Sequence, residues 1–229
     1  MPRSCAPHAF SLGRLALVCD LSGVLCLPDE DALLVADLHF EKGSSRARRG
    51  FLLPPYDTRD TLSRLAAVIA AHDPRRVIAM GDSFHDPHAA QRLCAEDREA
   101  LAGLMRGREW LWLTGNHDPD APAGIGGDAA AEIEVAGVRL RHEPSTAPGP
   151  EIAGHLHPVA KVVGRGGRVR RRCFATSGER CVMPAFGAYA GGLNVRDPAF
   201  APLFPDGLVA RVIGRERVYG VGAGMLAGD

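Results

Sequence analysis

The stretch ALLVADLHF, residues 32–40, decides how the chain is read: five apolar residues in a row, then Asp37, Leu38 and His39. A short apolar run that stops at charged and ligand-type side chains reads as a buried strand feeding a polar rim. The same grammar returns twice. VIAM at 77–80 runs into Gly81-Asp82, and WLWL at 110–113 leads through Thr114 to Gly115-Asn116-His117-Asp118. Between these runs, Leu62, Leu65, Val68 and Ile69 follow a helical period that closes at Asp73-Pro74, and residues 89–105 form a second helical stretch. Strands alternating with helices, each strand ending in polar residues, predict an α/β sheet whose edge carries a site.

Outward from this centre, the apolar runs 12–19 and 22–27 read as a β-hairpin, and a third strand covers 32–36. Beyond Asp118 the pattern turns to β: 133–142 with a turn at Ala136-Gly137, then 159–163, 169–175 and a closing pair at 208–213 and 217–221. With 229 residues, 46% of them apolar, and no low-complexity linker, a single domain spanning 1–229 is expected.

The 27 basic and 27 acidic residues cancel, so no global field favours nucleic acid or membrane, and any polyanion must be held locally. The basic residues are arginines except Lys42 and Lys161. Asp20, Ser22 and Gly23 interrupt the stretch from Leu15 to Leu27, so it is neither a spanning helix nor a signal sequence, and a cytoplasmic location is expected. The six cysteines, Cys5, Cys19, Cys26, Cys94, Cys173 and Cys181, form no CxxC pair and read as reduced structural thiols.

Asp37-Leu38-His39 and His155-Leu156-His157 each set two ligand side chains at i and i+2, which an extended segment turns to one side. Gly154 is expected to let the backbone turn sharply beneath them. Asp82 offers a carboxylate directly after a strand, and Asn116 offers a neutral amide oxygen. Oxygen and imidazole donors without thiolate suit Mn²⁺, Fe or Zn²⁺. Each fragment alone is common; their joint order, each at a strand end, points to a metal site.

DxH, GD, GNHD, a later His and GHxH, in that order from Asp37 to His157, resemble the calcineurin-like metallophosphoesterase superfamily. The resemblance implies an α/β fold, a four-layer αββα β-sandwich flanked by helices, with a dinuclear site on its rim. One ion would take Asp37, His39, Asp82 and His157, and the other Asp82, Asn116, His142 and His155, with Asp82 bridging. The family's later His sits just after a strand and is often followed by Gly. Here it corresponds to His142, in Arg141-His142-Glu143-Pro144, the one His between His117 and His155. His117 would face the scissile phosphate, with Asp118 orienting its ring. Two divalent ions would generate a hydroxide nucleophile and offset charge in an in-line displacement.

GDSFHD adds His85, three residues after Asp82, a position that DNA-repair nucleases of the Mre11 type use near the substrate phosphate. Longer stretches, ADLHFEKGSSRARRGFLLPPYDT, GDSFHD, GNHDP, GHLHP and MPAFGAYAGGLNV, resemble the bacterial ligase-associated DNA damage response endonucleases. That resemblance implies a manganese-dependent phosphodiesterase acting on DNA beside a repair ligase, a helicase and an exonuclease. Two basic clusters, Arg46, Arg48 and Arg49 after the first motif and Arg170, Arg171 and Arg172 after the last, read either as phosphate contacts or as solvated surface charge. With no capping domain in view, the expected substrate is single-stranded or flexible DNA bound without sequence specificity, helped by an aromatic such as Phe51, Tyr56 or Tyr189. Hydrolysis of small nucleotides is the alternative enzyme reading, and a non-catalytic binding module the alternative outside catalysis.

Overall fold

A computed structural model describes residues 8–51, 53–164 and 167–229. The first half builds one sheet. Strands β1 (Ala9–Leu12), β2 (Leu15–Cys19), β3 (Leu25–Leu27) and β4 (Ala32–Val35) run antiparallel to their neighbours. Helices α1 (Lys42–Ala47) and α2 (Asp57–His72) then lead to β5 (Arg76–Ala79), and α3 (Ala89–Arg92) and α4 (Ala95–Met105) lead to β6 (Glu109–Leu113). Strand β7 (Asp128–Ala130) completes the sheet, with β4 to β7 parallel in sequence order.

The second half is the mainly β region expected, in an order that its sequence does not announce. Its strands are β8 (Glu132–Val135), β9 (Val138–Arg141), β10 (Glu151–Ala153), β11 (Pro158–Gly164), β12 (Gly167–Thr176), β13 (Arg180–Val182), β14 (Leu193–Asn194), β15 (Val209–Ile213), β16 (Val218–Gly222) and β17 (Leu226–Ala227). They order as β14-β11-β12-β13-β10-β9-β8, with β15 pairing β12 and β16, and β17 pairing β11. The β8–β9 turn falls at Ala136 and Gly137, both at positive φ (49° and 81°), the twist a two-residue hairpin requires.

Period-2 alternation explains how the layers meet. Leu34, Ile78, Met80 and Leu113 face the second sheet and pack with Leu140, Ile152, Phe174 and Met183. Their neighbours Leu33, Val35, Val77, Ala79, Trp110 and Trp112 face the helices and meet Leu62, Leu65, Val68, Ile69 and Leu101. Leu34 and Ile78 are fully buried, and truncating either to alanine would cost about 2–5 kcal/mol.

Three details depart from expectation. The run 12–19 contains a turn, so β1 and β2 are two strands. The single helix expected over 89–105 breaks at Leu93-Cys94, because extended Cys94 (ψ 163°) accepts the Asp97 N–H on its sulfur and starts α4 afresh. The outer face of the second sheet, with Cys173, Ala175 and Val212, packs against Phe200 and Leu203 of a 3₁₀ segment, Pro198–Leu203, rather than against an α-helix. The sandwich flanked by helices on its other face stands as expected.

Candidate metal centre

The parallel ladder between β4 and β5 continues beyond both strands and carries the first ligands into place. Asp37 N–H donates to the Gly81 carbonyl (3.2 Å), His39 N–H to Asp82 (2.9 Å) and Phe40 N–H to Ser83 (2.8 Å). Asp37 and His39 do not share a face through strand pleating. Both lie at positive φ (54° and 47°), and so do Asp82 (47°), His155 (69°) and His157 (46°). Successive left-handed turns past the strand ends, not an extended segment, bring the i and i+2 side chains together.

Gly154 also serves a different end from the one expected. A Cβ there would stand 2.8 Å from Asp37 Oδ2, so its role is to let two loops touch rather than to turn the chain. The adjoining His155 N–H donates to both oxygens of Asp37, at 3.2 and 3.1 Å. Gly81 does the same for His142, whose ring atoms would lie 2.5 Å from a Cβ.

Two groups of ligand atoms result, each with its atoms within 4.8 Å of one another: Asp37, His39 and His157, and Asp82, His142 and His155. In the first, His157 Nε2 lies 3.2 Å from Asp37 Oδ1 and 3.3 Å from His39 Nε2. In the second, His142 Nε2 has Asn116 Oδ1 at 3.0 Å, His155 Nδ1 at 3.2 Å and Asp82 Oδ1 at 3.3 Å. The groups abut, since Asp37 Oδ1 is 3.9 Å from His142 Nδ1. His142 is therefore brought to the cluster with its neighbours in the motif.

These residues fit divalent cations. His142 Nδ1 is 3.0 Å from the Met80 carbonyl, which can only accept, so Nδ1 carries a proton and the neutral ring presents a lone pair at Nε2. Without cations, burial works against charging this ring, but the Asp82 hydrogen bond and the charges of Asp37 and Asp82 raise it to about 9. Asp82 is held down to about 2, its burial outweighed by its bond to His142. Burial, then Lys42 and His157, push His39 down to about 2, the neutral form that ligates.

Around this cluster, His117 N–H donates to Asp82 Oδ1 (2.9 Å), and His117 Nδ1 donates to the His85 carbonyl (3.0 Å). The rings of His85 and His117 stack at 4.8 Å, and His85 Nδ1 lies 3.4 Å from His39 Nδ1. Burial, then Lys42 and His117, hold His85 down to about 4. The expected Asp118–His117 ring contact is not formed. Asp118 instead accepts the N–H groups of Ser83 (2.7 Å), Phe84 (3.0 Å) and Gly115 (3.1 Å), tying the loops after β5 and β6 together. Burial raises its carboxyl to about 7 against those bonds.

Of the basic clusters, Arg46, Arg48 and Arg49 lie exposed on α1 and just beyond it. Arg172 is spoken for: its guanidinium donates to the carbonyls of Ala185 (3.0 Å) and Ser22 (3.1 Å), while Arg170 donates to Gly192 (2.7 Å). Sequence reasoning misses Lys42 as a site residue. It is 9% exposed, feels the charges of Asp37 and Asp82, and makes no ion pair among the described residues. Its one signal in the sequence is that it is one of two lysines in an arginine-rich chain.

No family model matches the chain, and no curated protein matches it. Among solved structures it is similar to the Pseudomonas putida nuclease MPE, at TM-score 0.73 and 27% identity over 93% of this chain and 98% of that one. A looser likeness, TM-score 0.43 and 13% identity over 83% and 98% of the two chains, is to Yfce, a phosphoesterase from E. coli. Only the first is close enough to bear on the fold. A sandwich shared along nearly the whole chain with a nuclease, and two abutting His/Asp ligand groups on its rim, make this protein a metal-dependent phosphoesterase similar in fold to that nuclease.

Proposed function

We propose that the protein is a DNA endonuclease, a phosphodiesterase that cuts single-stranded or flexible DNA without sequence preference and uses two Mn²⁺ ions. The observation that carries this reading is the coincidence of two ligand groups on one rim with the fold of a nuclease. One ion is assigned to Asp37, His39, Asp82 and His157, the other to Asp82, Asn116, His142 and His155. When bound, the ions supply Lewis acidity that makes water nucleophilic at neutral pH and offsets phosphoryl charge.

The chain's own groups then divide the work. With His39 Nε2 as ligand nitrogen, its Nδ1 carries the proton and donates to His85 Nδ1, 3.4 Å away. That leaves His85 Nε2 as an N–H that can hold a phosphate oxygen. His117, its Nδ1 fixed on the His85 carbonyl, has Nε2 3.9 Å from Asp82 Oδ2, and its side chain is 39% exposed. In its doubly protonated form the ring is the group we assign to protonate the leaving oxygen, giving up its Nε2 proton and returning to the neutral ring with the remaining proton on Nδ1. Asp118 takes a positioning role, holding the His117 loop to the Asp82 loop through backbone N–H groups.

The motif resemblance supports a role in DNA repair beside a ligase, a helicase and an exonuclease, and the interrupted apolar stretch from Leu15 to Leu27 is the ground for proposing a cytoplasmic location. No described helix is long and apolar enough to cross a membrane. The test is an assay of chelator-treated protein, with Mn²⁺, Fe²⁺ or Zn²⁺ restored, on single-stranded DNA, duplex DNA, small nucleotides and bis-p-nitrophenyl phosphate. Cutting of single-stranded DNA that is strongest with Mn²⁺ is expected. Activity confined to nucleotides would replace the DNA reading, and no hydrolysis with any metal would leave a binding module.

A further inference from the structure

Residues 42–56, KGSSRARRGFLLPPY, carry four cations and no acid in a chain whose 27 basic and 27 acidic residues cancel as a whole. The described residues at both ends of this stretch are tied down beside the metal centre. At its base, Gly43 N–H donates to Asp57 Oδ2 (2.9 Å), and Glu41 N–H donates to Thr58 Oγ1 (2.8 Å). Its start follows His39 by three residues, and the charge of Arg46 reaches His85. Its return leg is braced by Tyr189, whose hydroxyl donates to the Pro54 carbonyl (2.9 Å), from a segment where Gly187 N–H donates to the Asp37 carbonyl (3.0 Å).

Two further observations say what this loop holds. Arg46, Arg48 and Arg49 are exposed and form no ion pair among the described residues, whereas Arg59, Arg75, Arg76, Arg92, Arg106 and Arg108 are each paired with a carboxylate. On the same loop Phe51 and Tyr56 are 65% and 66% exposed. One exposed aromatic is ordinary; two, beside three unpaired arginines, match the needs of one ligand class. A duplex offers phosphates but keeps its base faces stacked, while a single strand offers both phosphates and free π-faces.

Resting on the phosphodiesterase reading, we infer that Arg46, Arg48, Arg49, Phe51 and Tyr56 form a single-stranded DNA platform, the three arginines on phosphates flanking the scissile one and the two aromatics stacking on unpaired bases. Tyr189, its hydroxyl engaged at Pro54, is a brace for this platform and not one of its stacking surfaces.

The experiment uses the full chain and a fluorescent oligothymidylate. Anisotropy on metal-free protein reads binding without turnover. A Phe51→Ala/Tyr56→Ala double variant should weaken binding about 10-fold or more. An Arg48→Gln/Arg49→Gln variant should also weaken it and reduce the slope of log affinity against log salt by about 1.4, roughly 0.7 for each phosphate that is no longer neutralised. With Mn²⁺ restored, the aromatic variant should lose oligonucleotide cleavage yet turn over bis-p-nitrophenyl phosphate, too small to span the loop, as the parent does. Binding and salt slope unchanged in both variants would overturn the platform. A parent that binds the oligonucleotide through these residues but hydrolyses neither substrate would keep the platform and sink the enzyme reading.

Discussion

Gly154→Ala tests the approach of two loops on which the first ligand group depends. The residue lies outside the left-handed region, so a methyl group there adds no backbone strain, and its effect comes from crowding alone. The new Cβ would stand 2.8 Å from Asp37 Oδ2, where ordinary contact begins near 3.4 Å, so the carboxylate must retreat by the difference, 0.6 Å. Asp37 is fully buried, and overpacking of such a site costs about 1–3 kcal/mol. For a chain of this length that lowers Tm by roughly 2–4 °C per kcal/mol. A metal ligand tolerates only about 0.2 Å of displacement, and disturbing its support costs roughly 10–100-fold in affinity. Calorimetric Mn²⁺ titration of chelator-treated protein is the decisive measurement. Gly103→Ala, on exposed α4 with nothing within 4 Å, is the control and should gain about 0.4–1 kcal/mol. A Gly154→Ala variant that binds Mn²⁺ as tightly as the parent would refute the dependence of the ligand group on this close approach.

Other expectations follow from the same geometry. Saturating Mn²⁺ at about 100 times its dissociation constant should add about 2.7 kcal/mol and raise Tm by roughly 5–10 °C, reversed by chelator; a Tm indifferent to both would remove the metal site. Lys42→Met keeps most of a buried stem but removes the cation beside Asp37 and Asp82. If Lys42 contacts the phosphate, kcat/KM for a diester falls about 10-fold or more, the scale of one charged hydrogen bond, with Mn²⁺ affinity undiminished. An unchanged kcat/KM would make Lys42 a structural counter-charge. Away from the centre, Glu151, 2% exposed, accepts from Arg180 Nη1 at 3.0 Å and from Ser145 N–H and Oγ. Glu151→Ala should cost about 3–5 kcal/mol by stranding the Arg180 charge. A loss below about 1 kcal/mol on urea unfolding would show the pair to be solvated.

The parts of the fold that are legible in the sequence are those set by local pattern. Strands β4, β5 and β6 alternate between two cores, so each is an unbroken apolar run that ends where solvent begins, at Asp37, at Gly81-Asp82 and at Gly115-Asn116. Helix α1 is not legible, because KGSSRA has no apolar period; it is held instead by Asp57 and Thr58, 14 and 17 residues away from their partners. Nor can sequence show that β10 lies between β9 and β13, or that β14 lies beside β11, since such pairings are set by tertiary packing. Arg172 illustrates the same limit. It reads as one of three surface arginines, yet two carbonyls distant in sequence absorb its guanidinium.

Backbone conformation links these observations to chemistry. Among the described residues, nine other than glycine have positive φ, and six of them, Asp37, His39, Glu41, Asp82, His155 and His157, belong to the loops of the centre. Each such residue costs on the order of 1–3 kcal/mol unless its surroundings over-determine it. Here they do: the β4–β5 ladder runs on through residues 37–40 and 81–83, Gly154 N–H donates to the His142 carbonyl (3.0 Å), and Phe186 N–H donates to the Ala36 carbonyl (2.9 Å). Two sheets therefore impose the turns and bring ligands from five segments together, at residues 37–39, 82, 116, 142 and 155–157. Hydrogen bonds between the sheets hold these turns, so ions bound to the folded state are expected to add their binding free energy to its stability, and chelation to lower Tm.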